Sequence, residues 1–271
     1  MSDILHKILV NKREEVEVLT GRIPEAELRE KAQQQPPALD FTAALKGQRP
    51  RGSGSQEGNN VNIIAEIKRR SPSKGTFRWH GDMGKQVAYY EDGGASAISV
   101  VTDAAYFGGS LQMLNEVKGY TSLPVMHKEF VVSPWQLWYT RAQGVDAVLL
   151  LANVLKGEQL AEFQQMATEM GLHTLVEVVN EEELERAKAA GAKVIGVNHR
   201  DLTNFSIDNQ RLINLLPGFG DEHLAIAESG IHTRSDVERL MGAGVDGFLV
   251  GEALMTHPRA SMMIRELRGE L

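Results

Sequence analysis

The sequence predicts an α/β fold, a single (β/α)8 barrel with an N-terminal helical extension. Three observations carry that prediction. From residue 61 onward, short β-branched runs alternate with helical stretches. The phrases Glu91-Asp-Gly-Gly-Ala-Ser-Ala97, Ala142-Gln-Gly-Val-Asp-Ala147, Ala189-Ala-Gly-Ala-Lys-Val194 and Met241-Gly-Ala-Gly-Val-Asp-Gly247 recur as helix end, glycine cap and strand start. The 271 residues, 42% of them hydrophobic, can fill one large core. Strands alternating with helices imply parallel pairing, and barrels of this size commonly form one domain. An open, doubly wound sheet is the alternative.

Residues 1–60 read as a helical extension and a flexible loop, part of the same domain as the barrel at 61–271. Ile4, Leu5, Ile8, Leu9, Val16 and Leu19 recur at helical spacing with Lys and Glu between them, Asp3 as cap and Gly21 as stop. A second helix fits Glu25 to Gln33, ahead of Pro36 and Pro37, and Phe41 to Leu45 fits one more turn. Residues 51–60, rich in Gly, Ser and Asn, read as a flexible loop. The predicted strands are 61–67, 97–102, 124–127, 147–151, 173–178, 194–198, 224–227 and 247–250. The predicted helices lie near 81–92, 110–118, 133–142, 156–169, 180–190, 207–215, 233–241 and 257–268.

A formal net charge of −7, with acids spread along the chain, argues against a nucleic-acid surface. The chain has no cysteine, which excludes disulfides and thiolate chemistry and suits a cytoplasmic location. No run approaches the roughly 18 apolar residues of a membrane span, and no signal peptide is expected. The histidines show neither His-x-His nor His-Glu-x-x-His, so no metal is expected. No phosphate-binding glycine pattern of dinucleotide or triphosphate enzymes is present, and no cofactor is expected.

In such barrels the chemistry sits where the strands end at their C-termini. The first strand ends in Glu66 and Lys68, which alternation turns to one side. The third ends in His127-Lys128-Glu129-Phe130, the fifth in Glu177, the sixth in Asn198-His199-Arg200. The seventh ends in Glu228-Ser229-Gly230 and the eighth in Gly251-Glu252. Structural roles compete with functional ones: Glu66 and Lys68 can be a rim ion pair, Glu177 can cap a helix, and Arg200 can pair with Glu177 or Asp201. His127 and His199 point away from the favoured side. Ser229-Gly230 and Gly251-Glu252 lie where this fold commonly cradles phosphate on backbone N–H groups, with Arg200 able to add charge.

The motifs Ala65-Glu-Ile-Lys-Arg-Arg-Ser-Pro-Ser-Lys-Gly75, Tyr106-Phe-Gly-Gly-Ser110, Lys128-Glu-Phe130, Glu177, Gly196-Val-Asn-His-Arg-Asp-Leu202, Ala227-Glu-Ser-Gly-Ile231 and Leu249-Val-Gly-Glu-Ala-Leu-Met255 span nearly the whole barrel. In this set and order the chain resembles indole-3-glycerol phosphate synthase, a TIM-barrel carboxy-lyase of tryptophan biosynthesis. It departs from the family's usual pattern at His127, Glu129, His199 and Asp103.

The resemblance implies ring closure of 1-(2-carboxyphenylamino)-1-deoxyribulose 5-phosphate with loss of CO2 and water, without metal or cofactor. It implies Lys128 as the acid, Glu177 as the base, and Lys68 as an anion contact and second acid. Glu66 is expected to orient the lysines, Asn198 and Glu228 to bind the sugar-derived chain, and Phe107 and Phe130 to pack the aromatic ring. Arg200, Ser229, Gly230, Gly251 and Glu252 are expected to line a phosphate site. Ser71 opens the 71–75 segment, expected to be a mobile lid, and the N-terminal extension is expected to close over the mouth. The expected partner is a small phosphorylated substrate, for a monomer or weak homo-oligomer. A phosphoribosylanthranilate isomerase-like barrel, which uses a cysteine base this chain lacks, and a catalytically silent scaffold barrel are the alternatives.

Overall fold

The computed structural model describes residues 3–46, 61–77, 81–200, 206–208 and 210–271. The loop expected at 51–60, the capping side chain of Asp3 and Asp201 lie outside them. The strands are β1 (Asn62–Ile67), β2 (Ala97–Val101), β3 (Val125–Lys128), β4 (Ala147–Leu151), β5 (His173–Val178), β6 (Val194–Asn198), β7 (Leu224–Glu228) and β8 (Gly247–Val250). They pair in parallel and close, β8 returning to β1 through Asn62 opposite Gly247. Parallel strands need long crossovers, and the helices supply them.

The extension contributes α1 (Asp3–Arg22), α2 (Glu25–Gln34) and α3 (Phe41–Ala44). Gly21 lies inside α1 rather than ending it. The crossovers carry α4 (Met83–Asp92), α5 (Ala104–Phe107), α6 (Leu111–Tyr120), α7 (Trp135–Arg141), α8 (Gln159–Glu169), α9 (Glu181–Ala189), α10 (Arg211–Leu215) and α11 (Arg234–Ala243). After β8 come α12 (Glu252–Thr256) and α13 (Ala260–Arg268). Capping side chains set several of these starts. Asp82, Asp103, Ser110, Asn180 and Thr233 each accept a backbone N–H of the helix that follows. Asn180, not Glu177, therefore caps α9.

Period-two alternation separates two cores. Ile63, Ala65 and Ile67 face the surrounding helices. Ile64, Met126, Leu175, Ile226 and Leu249 fill the barrel interior. Continuing the inward series upward gives Glu66, Lys128, Glu177, Asn198 and Glu228, so the interior ends in a charged layer at the C-terminal mouth.

The extension reaches both ends of the barrel. Phe41 and Leu45, both 0% exposed, join the interior cluster from below. Asn62 Nδ2 donates to the Leu45 carbonyl at 2.8 Å, and Leu39 N donates to Asp146 at 2.8 Å. These residues stop the floor. Trp135 Nε1 donates to the Ile23 carbonyl at 3.2 Å, and Arg29 lies 4.3 Å over the Trp138 ring, fixing α1 and α2 against α7. At the mouth α1 stands beside the ends of β2 and β3. No described residue of the extension lines the central cleft; its described part flanks the barrel at one end and plugs it at the other.

Candidate active site

The strand ends enclose an open cleft of about 1000 Å3 of empty space, its solvent mouth included. Glu66, Lys68, Ser71, Phe107, Lys128, Phe130, Glu177, Asn198, Arg200, Ser229, Gly230, Gly251 and Glu252 all line it. Glu228 does not: it is 0% exposed and lies beneath the floor.

At the centre two ammoniums converge on one carboxylate. Lys68 Nζ stands 2.5 Å from Glu66 Oε1, and Lys128 Nζ stands 3.0 Å from Glu66 Oε2. Lys128 Nζ also stands 3.1 Å from Glu228 Oε2. Burial works against the charge on Glu66, but Lys128 and Lys68 outweigh it and hold the carboxyl down at about 2. Burial likewise opposes the charge on Lys128, yet Glu66, Glu228 and Glu177 raise its pKa above the ordinary lysine range. Lys128 therefore sits in the cleft wall as a cation.

Glu177 is different. Burial, then the neighbouring Glu228 carboxylate, push it up to about 8, against the attraction of Lys128 and a hydrogen bond from Asn198 Nδ2 at 3.1 Å. A carboxyl near neutrality both takes and gives protons readily. Asn198 is itself fixed, since its Oδ1 accepts the Arg200 N–H at 2.9 Å.

Two inward glycines make room for these acids. A Cβ on Gly196 would meet Glu228 Oε1 at 1.9 Å, and one on Gly251 would meet Glu66 Oε1 at 2.3 Å. The second is the glycine that opens α12.

The apolar wall pairs Phe107 with Phe130, ring centroids 5.9 Å apart and tilted by 37°. Ser229 (φ 64°) and Gly230 (φ 73°) are consecutive left-handed residues of the cleft wall. Ser229 holds that conformation without glycine's freedom. Arg200 pairs at 3.5 Å with Glu252, which also pairs at 3.0 Å with Lys74. Residues Arg70–Ser71 and Gly75–Thr76 form an antiparallel hairpin, so the segment expected as a lid is ordered into paired backbone and tied through Lys74 to α12.

His127 and His199 point outward. His127 lies between the Thr102 and Thr140 hydroxyls at 2.8 Å each, lowered to about 3 by burial and then by Lys12. His199 bonds the Ser229 carbonyl at 3.2 Å. Sequence reasoning missed Lys74 as a partner of Glu252 and missed Glu129, which also lines the cleft. Alternation places Glu129 outside the inward series, so strand periodicity carries no signal for it. The described residues contain no group of three or more His, Asp or Glu placed to hold a metal ion. None of their helices is long and apolar enough to cross a membrane.

Known proteins share both the architecture and the sequence. A thiamine phosphate pyrophosphorylase from Pyrococcus furiosus superposes with a TM-score of 0.58 at 18% identity, covering 78% of this chain and 95% of its own. An N-acetylmannosamine-6-phosphate 2-epimerase from Clostridium perfringens gives 0.59 at 16% identity, covering 86% and 97%. At such identities the likeness is one of fold. The sequence relatives are nearer. An indole-3-glycerol phosphate synthase of Roseiflexus sp. (strain RS-1) is 41% identical over 99% of both chains. One of Desulfosudis oleivorans is 40% identical over 98% of this chain and 99% of its own. Residues 5–267 match the family described as indole-3-glycerol phosphate synthase. The chain belongs to the indole-3-glycerol phosphate synthase family.

Proposed function

We propose that the cleft closes the pyrrole ring of 1-(2-carboxyphenylamino)-1-deoxyribulose 5-phosphate, releasing CO2 and water and leaving indole-3-glycerol phosphate. The observation that carries the reading is the convergence of Lys68 and Lys128 on Glu66, 2.5 and 3.0 Å away. Two fixed cations at one apolar-walled mouth suit a substrate that is anionic at both ends and must be protonated in the middle.

The steps follow from the chemistry of the groups. The aromatic carbon bearing the carboxylate attacks the ketone carbon, forming a carbon–carbon bond. The ketone oxygen becomes an alkoxide, basic enough to take a proton even from a lysine as strongly held as Lys128. The carboxylate then leaves as CO2 and its bonding electrons restore the aromatic ring. Water departs last: Lys68 protonates the leaving hydroxyl, and Glu177 removes a proton from the ring carbon beside nitrogen. Burial makes Glu177 a stronger base than a solvated carboxylate. Glu66 and Glu228 hold the lysines, and Asn198 holds Glu177 and meets the sugar-derived chain. Phe107 and Phe130 stack the aromatic ring, with Ser71 at the hairpin edge. Arg200, Ser229, Gly230, Gly251 and the Glu252 backbone cradle the phosphate. We place the enzyme in the cytoplasm, as a monomer or weak homo-oligomer.

Mixing the protein with the substrate and following indole fluorescence tests the reaction; no signal rejects it. Lys128→Ala is expected to lower kcat by roughly 100-fold or more, the usual weight of a positioned acid. Turnover near the wild-type rate removes Lys128 from that role.

A further inference from the structure

The proposed chemistry does not use the buried Lys12 ammonium. Lys12, on α1 of the extension, is 1% exposed. Its ammonium stands 2.7 Å from Glu15, 3.1 Å from Glu129 Oε1 and 3.5 Å from Asp103 Oδ2. Glu15 is on the same helix and reaches solvent. The other two carboxylates belong to the barrel, at the ends of β2 and β3.

Both barrel carboxylates do a second thing. Asp103 Oδ1 accepts the N–H groups of Tyr106 at 2.7 Å and Phe107 at 3.2 Å, capping α5. Its Oδ2 has no hydrogen-bond partner of its own and faces Lys12. Glu129 Oε1 accepts the Phe130 N–H at 2.8 Å, while its Oε2 accepts the Thr102 hydroxyl at 2.7 Å. One ammonium therefore holds two carboxylates, and each carboxylate holds the backbone of one phenylalanine of the cleft wall. Removing the ammonium leaves two buried acids facing each other across that gap, which desolvation and like-charge repulsion oppose.

We propose that Lys12 is a positioning residue that sets the spacing of Phe107 and Phe130, and through them the seat of the substrate's aromatic ring. The identity of that ring rests on the ring-closure reading; the spacing of the wall does not. Lys12 touches no substrate, since α1 contributes nothing to the cleft lining. The extension thus acts on specificity from behind the wall. Glu15 shields the outer side of the ammonium, and a cavity lined by Lys12, Glu15, Thr102, His127, Glu129 and Tyr139 separates it from the outer helices.

The test is Lys12→Met in protein labelled with 4-fluorophenylalanine. The fluorine signals of Phe107 and Phe130 are expected to move while that of Phe41, on the floor, stays. Kinetics on the substrate are expected to show KM raised about 10-fold with kcat changed less than about 3-fold, the mark of misplaced binding rather than lost chemistry. Unmoved wall signals, or a fall in kcat at unchanged KM, overturn the proposal. Should Lys12→Met fail to fold, Asp103→Asn keeps the cap on α5 but loses the charge facing Lys12. It is expected to move the Phe107 signal more than that of Phe130, and the reverse order overturns the proposal. If the wild type leaves the substrate unchanged, the reaction is wrong, and the fluorine signals still judge Lys12.

Discussion

Glu177 is the side chain on which stability and chemistry pull in opposite directions. Its ordinary value is near 4.5, and the folded site pushes it up to about 8. Between those values the folded chain keeps a proton that the unfolded chain has lost. The stability it contributes is full below about 4.5 and drains away as pH rises to about 8. Glu177→Gln keeps the neutral shape and does not titrate. Its gain in Tm over the wild type should therefore grow across that window, reaching about 3 °C or more in thermal melts at the alkaline end. A gain that shrinks with rising pH contradicts the burial argument. On the chemical side, wild-type kcat/KM should rise as pH climbs through about 8, because a base works ionised. A profile that falls there makes Glu177 the acid. At this scale much was legible: alternation alone put Glu66 and Lys68 on the inner side and turned His127 and His199 away. The burial of Glu228 beneath the cleft was not, because it depends on the glycine at position 196 across the strand pair. Lys12 was not legible either. In the sequence it is one lysine in a helix rich in Lys and Glu, and only docking on Asp103 and Glu129 buries it.

Among the elements, the long ones follow their periodicity and the short ones do not. β4, β5, β6 and β8 have the predicted bounds. The helices α5 and α12 have 4 and 5 residues, too short for a hydrophobic period to register, and both stand at the cleft. The helix expected from 207 starts only at Arg211, because Ile207 is bridged to Arg200. Where caps decide an element, stability should separate cleanly from chemistry. Thr233 and Asp236 form a reciprocal capping box at the start of α11, next to His232 of the cleft wall but themselves outside its lining. Thr233→Ala should cost about 1 kcal/mol in denaturant melts and leave kcat unchanged. A loss of turnover larger than the loss of folded protein ties α11 to the site.

For the whole molecule, we propose that extension and barrel are one folding unit. Phe41 and Leu45 fill the interior from below, and Arg141 holds the Pro36 carbonyl at 2.6 Å. A chain lacking residues 1–46 exposes that floor to water and leaves Asp103 and Glu129 without Lys12. It should show no cooperative melt by calorimetry, because burying the freed apolar surface is the main driving force of the fold. A sharp transition in the truncated chain makes the barrel independent. The amphipathic spacing of the extension was legible as helix, but where it docks was not, since an apolar stripe states that a face is covered and not by what.

The filled interior also governs traffic. A barrel packed by Ile64, Met126, Leu175, Ile226 and Leu249 is a vessel with a blind end, and Ser71, Pro72 and Ser73 of the 70–76 hairpin line its one port among the described residues. Whatever enters by that port leaves by it. Carbon dioxide and water are small enough to slip past a seated product, but the indole and its phosphate arm are as large as the molecule waiting outside. Successive substrates therefore queue rather than stream, and each turnover ends only when the doorway has been vacated.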